Sequence, residues 1–422
     1  MNRKSSTISE NKLFKTFDYL LIFLLLQINW LLILLNINRL ELVLVPIVII
    51  LFYLKKRGIL LNNKILLVFA IYTVLVIIQG IIWDISFVSL ITSFSYTFLF
   101  PYCLYRIYNI DYFTLLEKVI RILTIISLLI WLMHQFIPGV KELIITIITS
   151  INKYNVIDIK RSMIFYTYWP QLEQSFGFTR NSGFASEPGA FAVYLILAII
   201  INYQRKYQLF NRRNYLYYIA LISTFSTAGY ISFFVLGMLL LKQKRNRIFV
   251  LLLFPIMVYS SIYLFKNLEF MQKKIESKYT FEMNRSLNQP TSGRIYGSRK
   301  SLNVLFKYPL YGRGILASTK PLDISDPEFF DYGFLVQFAR FGLIFGSLFM
   351  IYFLKGIYIY CNSNGMKYFE YIICLIAIML QLYSQAFINN PSFMIFFFIG
   401  IYSGTKIKLK SESQKMIMIT RA

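Results

Sequence analysis

Apolar runs long enough to cross a bilayer recur along almost the whole chain, and no other feature restricts its folding so severely. They fall near 17–36, 40–54, 64–83, 85–105, 119–137, 188–203, 215–241, 247–265, 332–357, 369–387 and 391–405. A segment in lipid must satisfy its own backbone N–H and C=O groups, so it is a helix or a strand of a closed barrel. A barrel requires short segments of alternating polarity, and the sequence shows none. With 57% hydrophobic and 15% charged residues and a mean hydropathy of +0.58, 422 residues also lack the polar surface of a soluble chain. The expected fold class is all-α, a single polytopic membrane domain over 1–422.

A net charge of +25 suggests nucleic acid at first sight. The basic residues, however, fall mainly in short clusters between apolar runs, as in cytoplasmic anchoring to anionic lipid. The implied partner is the lipid bilayer, and no nucleic acid is expected. Arg3, Lys4, Lys12 and Lys15 precede the first run without a cleavage site, which reads as a retained, cytoplasmic signal anchor. Alternation of basic clusters then orients each run in turn until 215–241. Arg212–Arg213 precede that run and Lys242–Arg247 follow it, so a single crossing would place one cluster outside. Its polar centre, Ser226-Thr227-Ala228-Gly229, suggests two short, kinked or re-entrant halves instead. The split gives about twelve spans with both termini cytoplasmic. An impermeant thiol reagent outside is then expected to miss position 244.

With that parity, 138–187 and 266–331 are two long loops on the external side. Connections of about fifty residues or more are usually functional or disordered. Residues 141–151 have the pattern of an interfacial amphipathic helix. Cys103, Cys361 and Cys374 lie in or beside apolar runs without metal-ligand spacing, and His134 is the one histidine, so no metal site is expected. His134 reads as a bundle histidine with its hydrogen bonds satisfied.

The first loop ends in RNSGFASEPGA, from Arg180 to Ala190. Pro188 suits a first helical position, which sets Glu187 beside the positive end of the helix that follows. Charges of both signs at such a mouth are costly unless used. In the second loop, Arg294, Arg299, Lys300, Lys307 and Arg313 occur within 291–314. A helix is expected over about 294–307, ended by Pro309, with Gly312 and Gly314 permitting a tight turn. Guanidinium groups there suit phosphate oxygens, and Tyr296 suits stacking on a sugar ring. Asp331 marks re-entry into the membrane, and Arg340 lies further along that span.

Three patches in this order resemble the O-antigen polymerase (Wzy) and O-antigen ligase superfamily. They are Arg180, Gly183 and Ser186-Glu187-Pro188; then Ser292-Gly293-Arg294 with Pro309-Leu310-Tyr311-Gly312-Arg313-Gly314; then Asp331-Tyr332-Gly333-Phe334-Leu335 before Gly342. The resemblance implies a GT-C-like membrane glycosyltransferase of the bacterial inner membrane. Its substrates would be undecaprenyl-pyrophosphate-linked glycans, with no cofactor or required metal, and a flippase and chain-length regulator would work beside it. The ligase branch carries a histidine in the second external loop; this chain has none there, which favours polymerase. Ser298 stands where relatives often have tryptophan.

The implied roles are Glu187 or Asp331 as base, and Arg180, Arg294, Arg299, Arg313 and Arg340 at the pyrophosphate, with Tyr296 at the glycan. Simpler roles stand beside these. Glu187 is also suited to capping its helix, and Arg180 to pairing with Glu187 or a headgroup. The remaining arginines also suit interfacial anchoring or snorkelling. A ligase and a flippase or exporter of lipid-linked oligosaccharide are the competing functions.

Overall fold

The computed structural model describes residues 18–24, 26, 51, 63–83, 94–151, 161–162, 165–168, 179–206, 208–242, 294–314, 333–385 and 387–402. It is 81% helical. All of the apolar run 247–265, most of 17–36 and 40–54, and the start of 85–105 lie outside these residues. The count of about twelve spans therefore extends beyond what is described.

Helix α1 (Asn63–Ile82) is followed by a π turn (Ser95–Leu99) continuing into α2 (Phe100–Tyr108), then α3 (Asp111–Phe136) and α4 (Val140–Ile151). A two-residue hairpin, β1 (Arg161–Ser162) with β2 (Thr167–Tyr168), precedes α5 (Pro188–Lys206). Then come α6 (Arg212–Ser223), α7 (Thr227–Gly237) with a 3₁₀ turn (Met238–Lys242), α8 (Arg294–Lys307), α9 (Val336–Ser363), α10 (Tyr368–Ser384) and α11 (Pro391–Tyr402). Segments long and apolar enough to cross a membrane lie in α1 (Ile65–Ile82), α5 (Pro188–Arg205) and α9 (Val336–Ser363).

Burial sorts these helices into layers. α5 is buried on every face from Ala190 to Gln204, and α11 from Pro391 to Ile401. A helix apolar all round belongs in a core. Around them, α1 exposes Leu67, Val74 and Ile81, and α3 exposes Ile122, Leu129 and Phe136, a surface suited to hydrocarbon. α9 and α11 cross in direct backbone contact: a Cβ on Gly356 would strike the Phe396 carbonyl, and one on Gly400 the Tyr352 carbonyl. Small residues permit such close approach, and the packing is dispersion between backbones.

The run 215–241 is split, as expected. Thr224 to Ser226 interrupt it, and α6 and α7 fold back on each other as an antiparallel pair. The Tyr218 and Phe233 rings lie 4.8 Å apart, and the Tyr230 hydroxyl donates to the Ile222 carbonyl at 2.7 Å. The polar centre supplies the turn: Ser226 Oγ accepts from Gly229 N, and Thr224 Oγ1 from Ser226 N. Arg212–Arg213 and Lys242 thus lie at the same end of the hairpin.

At that end two fully buried carboxylates hold the bundle. Glu117 on α3 lies 3.4 Å from Arg205 on α5 and 4.0 Å from Arg121, and accepts from the Tyr217 hydroxyl on α6 at 2.8 Å. Glu370 on α10 accepts from the Tyr203 hydroxyl at 2.6 Å and from Lys367 N at 2.7 Å. Each buried charge is matched by an opposite charge or by donors, which makes its desolvation tolerable.

Candidate functional site

The other end of the bundle carries the two charged motifs. Before α5 the chain is clamped from both sides. Trp131 Nε1 donates to the Thr179 carbonyl at 2.8 Å, and Thr179 N to Gln135 Oε1 at 3.0 Å. Two residues on, Asn181 N donates to the Ser223 carbonyl and Asn181 Nδ2 to Ser223 Oγ, both at 2.9 Å. Between these clamps, Arg180 Nε donates to the Thr224 carbonyl at 3.1 Å and Nη2 to the Phe225 carbonyl at 3.0 Å. Carbonyls at a helix C-terminus lack intrahelical partners and carry partial negative charge, so a guanidinium suits them.

Of the simpler roles set out for Arg180, pairing with Glu187 gives way to another contact: its guanidinium bonds the Thr224 and Phe225 carbonyls and so pins the α6–α7 turn. Glu187 is half-buried directly before α5, where its carbonyl accepts from Phe191 N at 3.0 Å. Gly183 has a φ of +55°, and a Cβ there would lie 2.6 Å from the Phe191 ring. A side chain would be strained and would press on the core. The loop is also tied to β2 through Thr167 N and the Gly183 carbonyl at 2.9 Å. His134 is satisfied by the Tyr166 hydroxyl at 2.9 Å, and burial pushes the Tyr166 phenol pKa up.

The second motif is built around a broken helix. α8 spans the expected residues, and the turn after it inserts into α9 at Gly342, where φ is 74° and ψ is 179°. In an unbroken helix Leu343 N would bond the Ala339 carbonyl, and the next N–H the Arg340 carbonyl. Here Leu343 N donates to the Pro309 carbonyl at 2.7 Å. The freed Ala339 carbonyl takes Arg313 N at 2.8 Å, and the freed Arg340 carbonyl takes Gly314 N at 2.9 Å. Gln79 on α1 completes the join, donating to the Tyr311 carbonyl at 2.6 Å and to that of Arg340 at 2.8 Å. Leu343 N and the two freed carbonyls thus regain backbone partners from the inserted turn, as a low-dielectric setting demands.

Arg313 and Arg340 consequently issue from backbone segments bonded to each other. Arg313 is buried and Arg340 half-buried, at the break instead of inside an uninterrupted span. Arg299 is exposed on α8, whereas its neighbour Lys300 is buried. Arg294 and Tyr296 lie in the first turn of α8, and their side chains are outside the description. Asp331 lies outside the described residues.

α10 links the two motifs. Gln381 Nε2 donates to the Ala228 carbonyl at 2.8 Å and to Ser232 Oγ at 2.7 Å, both on α7. Two residues on, Tyr383 lies 3.5 Å from where a Cβ of Gly333 would stand, just before α9. Both arginine-bearing loops therefore gather at one end of the bundle. Sequence reasoning missed Gln79, Gln381 and the carboxylates Glu117 and Glu370. Glu370 and Gln381, polar residues inside an apolar run, carried a signal that was readable. Among the described residues no three His, Cys, Asp or Glu side chains come together in a way that could hold a metal ion. Neither family models, curated proteins nor solved structures yield a match to this chain.

Proposed function

We propose that this protein is a membrane polymerase joining undecaprenyl-pyrophosphate-linked oligosaccharide repeat units at the outer face of a bacterial inner membrane. The observation that carries the reading is the hydrogen-bonded join between the Arg313 turn and the Arg340 helix break, which brings two guanidinium-bearing segments together at the loop end. Cations fixed in a low-dielectric setting stabilise charge that grows on a leaving pyrophosphate. Arg299, exposed on the adjoining helix, would extend that field toward the lipid carrier.

An acceptor hydroxyl attacks the anomeric carbon of the donor, forming the new glycosidic bond. The bond from that carbon to the pyrophosphate oxygen breaks, and its electron pair leaves with undecaprenyl pyrophosphate. The hydroxyl proton passes to a carboxylate, with Glu187 and Asp331 the two candidates. Arg180 has two N–H groups committed to the α6–α7 turn, so its part is to hold the loop bearing Glu187. Arg294 and Tyr296, at the start of α8, are proposed contacts to pyrophosphate and sugar.

The test is the glycan profile of a deletion strain complemented with Glu187→Gln, Arg313→Lys or Arg340→Lys, each at normal membrane abundance. Loss of the long ladder with a single repeat unit retained is expected. A full ladder that stays on its polyprenyl carrier would mark a ligase instead. Accumulation of lipid-linked units on the inner side would mark a flippase.

A further inference from the structure

We propose that three arginines, at the end of the bundle opposite the two cationic loops, form a site for the phosphate of an anionic lipid headgroup. Arg121 on α3 and Arg205 on α5 converge on one carboxylate: Arg121 Nη1 lies 4.0 Å from Glu117 Oε1, and Arg205 Nη1 lies 3.4 Å from Oε2. Arg213 joins them from α6. It stands four residues before Tyr217, so the two share a helix face, and the Tyr217 hydroxyl donates to Glu117 at 2.8 Å. The Arg213 charge also acts on that hydroxyl. Three helices thus bring three guanidinium groups to a single buried carboxylate. Among the described residues no other carboxylate is within ion-pair distance of any of them. Glu117 balances one positive charge, and a surplus is left.

That surplus is within reach of a ligand. The Arg121 and Arg205 side chains are each 27% exposed, and Arg213 is exposed. Glu117 takes one hydrogen bond from Arg205 and none from Arg121, whose contact is too long for one. Most of the N–H donors on these two groups are therefore left without a partner among the described residues. Planar guanidinium forks match pairs of phosphate oxygens. The placement favours a lipid phosphate over a soluble one. Arg205 closes the apolar segment Pro188–Arg205, so the cluster stands where a span leaves hydrocarbon for the headgroup layer. On the Arg121 face of α3, one and two turns further along, Ile125 and Leu129 are 43% and 57% exposed, a surface for an acyl chain beneath the headgroup. The same surplus charge repels the choline of phosphatidylcholine, whereas phosphatidylglycerol carries a net negative charge.

The test places the full-length protein in phosphatidylcholine nanodiscs with increasing fractions of phosphatidylglycerol and follows the thermal midpoint. A saturable rise is expected for the wild-type protein. Arg121→Gln keeps the closer Arg205–Glu117 pair, and Arg213→Gln removes no ion pair between described residues, so both should fold. Each should need about fivefold more phosphatidylglycerol for half of the rise, the effect of one cation at a headgroup. Lys355→Gln, an equal loss of charge at an exposed position on α9, should need no more than the wild-type protein. A second arm adds inorganic phosphate to nanodiscs of phosphatidylcholine alone. A saturable rise there, weakened in the same two variants and with no further gain from phosphatidylglycerol, supports the anion site and identifies its occupant as soluble phosphate. No response to either probe overturns the site. So does a loss in Lys355→Gln equal to that in Arg121→Gln, which marks diffuse attraction to a charged surface, or an unchanged response in the folded double variant.

Discussion

Replacing Arg180 tests whether a charge in the first motif acts on the fold or on a ligand. Arg180→Ala removes two charge-assisted bonds, to the carbonyls of Thr224 and Phe225. Such bonds contribute about 1.5–3 kcal/mol each. Two considerations reduce the sum: Arg180 is only half-buried, and the two Asn181–Ser223 bonds still hold the turn. A net loss of about 2–3 kcal/mol in local stability is expected, or roughly 30- to 150-fold more frequent opening. Hydrogen–deuterium exchange of the reconstituted protein reads this directly. The amides of Ser226, Gly229 and Tyr230 should exchange faster by that factor, while those of Phe191 to Ile201 in the buried α5 stay protected. Arg180→Lys should behave nearly as Arg180→Ala, because one ammonium cannot reproduce the fork spanning two carbonyls. Unchanged protection at 226–230 in a variant that has lost its polymer ladder would refute the pinning argument and return Arg180 to the ligand.

Four further outcomes follow from the geometry. Glu117→Ala strands Arg205 and the Tyr217 hydroxyl and should cost about 3–5 kcal/mol, seen as a lower thermal midpoint in nanodiscs; an unchanged midpoint would show that this buried pair contributes nothing. Gly342→Ala puts a side chain at a φ of 74° and against the Leu310 carbonyl, so it should cost at least about 1–3 kcal/mol and lower polymer yield. Gly139→Ala, also at positive φ but with open space around it, should leave the ladder intact. In a cysteine-free background, Arg212→Cys and Lys242→Cys should be modified by an impermeant reagent from the same side of the membrane. Labelling from opposite sides would exclude the hairpin.

Much of the helical layout was legible because hydrophobic length and turn chemistry act locally. Ser226 and Gly229 announced a break within 215–241, and Pro309 and Gly312 announced the end of α8. Partnerships were not legible, because they depend on which helix ends meet in space. Nothing near Arg180 in sequence indicates Thr224, and nothing near Arg340 indicates Gly314 or Gln79. Glu117 flanks an apolar run, where a carboxylate normally faces solvent. It is buried only because Arg205, nearly a hundred residues away, returns to it. The expectation for Arg340 differed for a related reason: a glycine in an apolar run does not reveal that another loop will fill the gap it opens.

The antiparallel α6–α7 pair also bears on how the chain came to be arranged. Because its two ends lie together, residues 212–242 begin and finish at the same end of the bundle. Removing or inserting such a unit changes the parity of no later segment, so α9, α10 and α11 would keep their orientation without it. It is therefore a cassette that a chain of this kind can acquire, lose or exchange without re-threading the remainder, and Arg180 is the latch that commits the bundle to it.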